Sequence, residues 1–166
     1  MKKVEERKIN NKVKIFGISY NIEALYKYIK TPKLSIEEKQ IKIILPYKYK
    51  KIRNEEIIKI LIEKMYDAIA EKELYNIMEK VRTTLKFAPE DFKIERINNT
   101  LGKCYKDKMI INPDIVMYKR ETIEYIVFSE FCYLKYRRHS KKFYEIIQSY
   151  IPNYENYAYE VAGMEY

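Results

Sequence analysis

Glycine and proline are scarce in this chain, at 3 and 5 of 166 residues, and tryptophan is absent. So few backbone breakers exclude a loop-rich scaffold and favour long regular elements. Long apolar runs are missing as well. Stretches such as Ile43–Pro46 and Ile126–Phe128 are far too short to cross a bilayer, which needs about 20 residues of helix. The opening MKKVEERKINNK has the lysines of a secretory leader, but no apolar segment follows them, so secretion and a membrane location are not expected. The two cysteines, Cys104 and Cys132, form no CxxC pair and read as free buried thiols in a reducing compartment. The expected location is cytoplasmic.

What the chain does have is apolar content and charge. Hydrophobic residues make up 47%, enough for a sizeable core in a single domain spanning 1–166. Lys and Arg exceed Asp and Glu by 33 to 24, a net charge of +9. The whole excess lies early: residues 1–60 hold 16 basic against 7 acidic side chains, and 61–166 hold 17 of each. The local peak is Lys48, Lys50, Lys51 and Arg53 (KYKKIR, 48–53). Such a patch suits phosphate or an acidic partner. A solvated lysine-rich face is the commoner origin of such a run, and Lys, Ile, Asn and Tyr all have AT-rich codons.

Lys12–Ser19 begins with alternation, Val13 and Ile15 against Lys12 and Lys14, and Phe16 and Ile18 then fall on the other face. This predicts a strand with both faces partly covered. Tyr20–Lys30 reads as strand or short helix, and Gln40–Leu45 as a second strand. A small antiparallel sheet is expected here. Asn54 reads as an N-cap, with Glu55 and Glu56 in the first turn where the helix dipole favours acid. Apolar residues then recur at helical spacing from Ile57 to Leu85, in one long helix or two joined near Glu71–Glu73. Phe92–Ile97 and Lys108–Asn112 read as short strands. A helix is expected from Glu121 to about Arg137, broken at His139-Ser140, and another follows up to Pro152. Sheet first, helices mixed through and no βαβ rhythm give the class α+β.

On a wheel of about 100° per residue, Ile123, Ile126, Val127 and Leu134 share an arc, and Glu130 falls in its middle. A carboxylate there is costly to bury alone. It must face a cavity, a cation or a donor, unless the helix packs on another side. Ser129 and Tyr133 flank it, one turn apart.

The stretch 110–147, IINPDIVMYKRETIEYIVFSEFCYLKYRRHSKKFYEII, resembles the YgjP-like zinc metallopeptidases, relatives of the WLM and SprT-type proteases. In that family a strand ending in Asn precedes a helix bearing His-Glu-x-x-His, with a third His six residues on, then Ser and an aromatic. Upstream, Arg96–Cys104 (RINNTLGKC) resembles the family's Arg-rich Trp-Gly-Ser-Cys segment, with Leu101 for the Trp and Lys103 for the Ser. The resemblance implies a zincin-like α+β fold with an N-terminal sheet, a long helix and an active-site-type helix. It also implies that Glu130 holds the general-base position, His139 the third-ligand position, and Ser129 and Tyr133 the two substituted ligand positions.

Those substitutions bear on function. A catalytic zinc needs three good protein ligands and an open position for its water. A hydroxyl is a poor ligand, and a phenol with a pKa of about 10 stays protonated. The expectation is a degenerate metallopeptidase fold without zinc or peptidase activity, serving as a binding or regulatory protein. A peptide or protein partner is expected at the old substrate cleft by strand addition. Two alternatives stay open. One is an active metal-dependent hydrolase with an atypical site drawing on Cys104, Cys132 or Glu130. The other is a nucleic-acid-associated protein using the basic N-terminal part. Activation of either cysteine by His139, and hydrogen bonds from Ser129 and Tyr133 across to Glu130, are further expectations that the geometry can test.

Overall fold

The structure, a computed structural model, describes residues 5–50, 54–136 and 140–163, with side chains from residue 12 onward. Strands β1 (Glu5–Ile15) and β2 (Ile18–Lys27) pair antiparallel. The Lys12–Ser19 stretch is therefore the tip of a hairpin rather than one strand. Its two turn residues, Phe16 and Gly17, have φ of 51° and 78°, the pair of positive values that matches the twist of hairpin strands. The change of face at Phe16 is the mark of that turn. A non-glycine residue at positive φ is uncommon, and three contacts hold this one. Phe16 N donates to Val116 O at 2.8 Å, Gly17 N to Met117 O at 3.2 Å, and the Arg120 guanidinium lies 3.8 Å over the Phe16 ring.

β3 (Lys33–Glu37) and β4 (Gln40–Pro46) complete a sheet of order β1-β2-β4-β3. The expected all-antiparallel sheet is mixed instead, because β2 and β4 run parallel. Register places Ile22 beside Ile41, Ala24 beside Ile43 and Tyr26 beside Leu45, and all six are buried. That is the core face of the sheet.

Helix α1 is a single helix, Glu55–Leu85, about 46 Å long at 1.5 Å per residue. It buries Ile58, Met65, Tyr66, Ala70, Leu74 and Val81. Asn54 precedes it as expected but makes no side-chain cap; its amide instead donates to the Tyr26 hydroxyl. Tyr66 donates to Lys14 O at 2.7 Å. Both bonds tie α1 to the first sheet, and burial pushes the Tyr66 phenol up to about 12.

β5 (Asp91–Ile94), β6 (Gly102–Tyr105) and β7 (Lys108–Ile111) form a second sheet of order β5-β7-β6. A 3₁₀ turn, Pro113–Met117, leads into α2 (Arg120–Lys135), followed by α3 (Lys141–Tyr150) and α4 (Tyr154–Ala162). Ser140 caps α3, its hydroxyl accepting from Phe143 N. Three of the C-terminal tyrosines make ring contacts: Tyr154 and Tyr157 lie 6.4 and 6.2 Å from the Tyr125 ring of α2, and Tyr150 lies 5.5 Å from Phe128, whereas Tyr159 is exposed. One cluster of buried apolar side chains runs from Ile41 through Leu74 and Ile111 to Phe131 and Ile147.

Candidate functional site

Two polar side chains organise the approach to α2. Asn112, at the end of β7, accepts from Asp114 N at 3.0 Å. Its amide donates to Ile97 O at 3.0 Å and Thr100 O at 3.2 Å. One buried side chain thus holds both the turn that launches α2 and the loop that feeds β6. Arg96 donates to Asp67 Oδ1 at 2.6 Å and Glu63 O at 2.8 Å, and lies 3.4 Å from Asp114. It joins α1 to the start of the same turn. Burial pushes the Asp114 carboxyl up, and Arg96 opposes that rise.

α2 buries Ile123, Ile126, Val127 and Phe131, which carries Glu130 onto β6. Glu130 lies against Gly102 so closely that a Cβ there would meet its Cγ at 2.7 Å and its Cδ and Oε1 at 2.9 Å. The absence of a side chain at Gly102 is what lets the carboxylate rest on the strand. Beside it, the Cys104 thiol donates to Glu130 O at 3.1 Å. A cavity of about 630 Å³ opens here, lined by Gly102, Lys103, Cys104 and Tyr105 of β6 and by Glu130 and Tyr133 of α2. Of the alternatives for an acid on an apolar arc, the cavity is the one realised.

The outer edge of β6 borders this cavity, and among the described residues no strand pairs with it. Asn112 N donates to Leu101 O at 2.9 Å, so residues 101 and 112 form a bonded pair. Alternation along an antiparallel ladder then makes 103/110 and 105/108 the next bonded pairs. Gly102 and Cys104 therefore turn their N–H and C=O groups away from β7. The Gly102 carbonyl already accepts from the Thr100 hydroxyl at 2.8 Å.

Ser129 and Tyr133, the two positions that the resemblance assigns to zinc ligands, carry hydroxyl groups, which suit zinc poorly. Ser129 sits one residue before Glu130 on α2, and its hydroxyl donates to Ile126 O at 2.8 Å. It bonds to its own helix rather than across to Glu130, because a serine on a helix reaches the preceding carbonyls with no loss of geometry. Tyr133 lines the cavity with its ring 4.8 Å from Phe143. Burial, and then the nearby Glu130 charge, push its phenol up to about 12, so the phenolate that a metal requires is disfavoured. His139 lies outside the described residues. Among those described, no three His, Cys, Asp or Glu side chains gather into a metal-binding group.

Neither described cysteine environment lowers a thiol pKa, and His139, the expected activator, lies outside the described residues. Cys132 is fully buried and burial pushes its thiol up to about 12. Burial, followed by the charge of Glu130, pushes Cys104 up further, whereas a reactive thiol needs a lowered pKa. Both are free thiols. Of the basic patch, Lys48 and Lys50 are exposed, neither lines the cavity, and Lys51 and Arg53 lie outside the described residues.

Sequence reasoning passed over β6 as a strand, and with it the placement of Thr100, Tyr105 and Lys106 along the cavity. The signal was the Gly102–Cys104 pair already marked by the family resemblance.

Burial also raises the Glu130 carboxyl, with the Cys104 thiol opposing that rise. A carboxyl raised in the fold contributes stability that is fully present below its unfolded value, about 4.3, and lost as pH climbs through the folded value. Glu130→Gln, which mimics the neutral acid, should raise the melting temperature at pH 7. The gain should vanish at pH 4. Thermal melts at both values check this, and an equal shift at both would contradict it.

The sequence matches the YgjP-like metallopeptidase domain over residues 2–161. No curated protein matches it. Among solved structures, the metallopeptidase zymogen of Pyrococcus abyssi abylysin is similar at 15% identity and a TM-score of 0.48, over 52% of this chain and 90% of that one. The family match extends over nearly the whole of the 166 residues, and the chain belongs to the YgjP-like metallopeptidase family.

Proposed function

We propose that this chain is a degenerate YgjP-like metallopeptidase fold that neither holds zinc nor cleaves peptides, and that it binds an extended peptide segment along the open edge of β6. The observation that carries this reading is the state of the two ligand positions beside an intact cleft. Ser129 is spent on its own helix and Tyr133 is held protonated, while Gly102 and Cys104 present backbone groups beside the cavity. A strand added there satisfies those groups with main-chain hydrogen bonds, and alternate side chains enter the cavity.

The test combines two measurements on untagged full-length protein. Metal analysis is expected to find zinc well below stoichiometric, with no cleavage of a mixed peptide substrate. Amide spectra with an extended peptide should shift at Gly102 and Cys104. Stoichiometric zinc lost on Glu130→Gln or His139→Ala would instead support the active hydrolase with an atypical site.

A further inference from the structure

Nine carboxylates among the described residues are half-buried, and eight of them meet a charged or polar side chain. Asp67 and Asp114 share Arg96, Glu73 pairs with Arg120 and Glu124 with Lys80 at 2.6 Å. The remaining four have Lys59, Lys108, Gln40 and Thr122. Glu130 is the exception, with nothing stronger beside it than the Cys104 thiol. Burying a carboxylate without a cation is costly, and this one faces a cavity of about 630 Å³, ample for a long side chain.

Resting on the peptide-binding reading above, we propose that the segment accepted along β6 carries a lysine or arginine opposite Gly102, ion-paired with Glu130, and an acidic residue next to it, opposite Lys103. Register follows from the pleat. In an added strand, the residue opposite Gly102 points its side chain to the Gly102 face, which is the face Glu130 covers. Its neighbour points to the other face, beside the exposed Lys103. The floor of the cavity is thus acidic and its rim basic, and only a segment of alternating charge complements both. Tyr133 adds an aromatic wall that attracts an ammonium or guanidinium group. Lys106 at the far end already lies 5.6 Å over the Tyr105 ring, which leaves Lys103 as the rim cation for the guest.

The experiment measures anisotropy of labelled, end-blocked nonapeptides on the full chain, with Lys, Arg, norleucine or citrulline at the centre and Glu or Gln beside it. Amide shifts of Gly102 and Cys104 report whether each peptide sits on β6. Lysine and arginine peptides are expected to bind at least about 10-fold tighter than norleucine or citrulline, the worth of a hydrogen bond to a charged group. Glu130→Gln should abolish that preference, and Lys103→Glu should reverse the preference for Glu over Gln at the neighbouring position. Peptides that sit on β6 with equal affinity for lysine and norleucine overturn this inference while leaving the peptide-binding reading intact. An absence of any shift at Gly102 and Cys104 with every peptide overturns both.

Discussion

Replacing Ser129 and Tyr133 together with histidine is expected to tighten zinc binding by more than about 100-fold, since even loss of a ligand's supporting partner costs about 10- to 100-fold. The two positions are four residues apart on α2 and therefore project from one face, one turn apart. Imidazole is largely neutral at pH 7 and needs no proton removed at a cost, unlike a phenol pushed up to about 12. The resemblance supplies the third ligand as His139, and Glu130 stands between the two replaced positions with its carboxylate on the cavity. Each single variant should gain little, because two ligands do not fill a tetrahedral site. Competition against a chromogenic chelator reads the affinity. A folded double variant that binds zinc no better than the parent would count heavily against the ligand positions assigned here.

Gly102→Val is the second large effect, expected to cost about 1–3 kcal/mol of stability, or roughly 2–12 °C in melting temperature for a domain of this size. The cause is local. A Cβ at Gly102 meets Glu130 Cγ at 2.7 Å, the two branching methyls add to that overlap, and α2 is fixed behind Glu130 by the fully buried Phe131. The same change fills the floor of the cavity and should abolish peptide binding on β6. Shortening the partner provides the control: in Glu130→Ala the valine should cost much less, so the two substitutions should be strongly coupled in a double-mutant cycle. Additive costs would show that the valine acts through the strand rather than through Glu130.

How far such features can be read without coordinates differs from element to element. α2 was legible because its apolar residues recur at the helical period, and the position of Glu130 within that arc already demanded a cavity or a partner. α1 was legible for the same reason, although Asn54 turned out to spend its amide on Tyr26 rather than on a cap. The hairpin at Phe16–Gly17 was hidden because alternation continues through it with only a change of face. β3 and β6 went unread although β5 and β7, just as short, were read, and β6 is a strand because β7 pairs with it. α4 was masked by tyrosines that look like surface residues, two of which, Tyr154 and Tyr157, pack against Tyr125.

The resemblance to the family was carried by residues 96–147 of the sequence, and it assigned Ser129 and Tyr133 to the ligand positions, because a spacing of four on a helix is a local property needing no partner. Ser129, Glu130 and Tyr133 could be named from the sequence for that reason. Only the tertiary structure decided what those residues face. The contact of Glu130 with Gly102, the edge position of β6 and, among the described residues, the lack of a cation beside the carboxylate join segments far apart in the chain. Such contacts are set by how α2 packs across the second sheet, which no local pattern encodes.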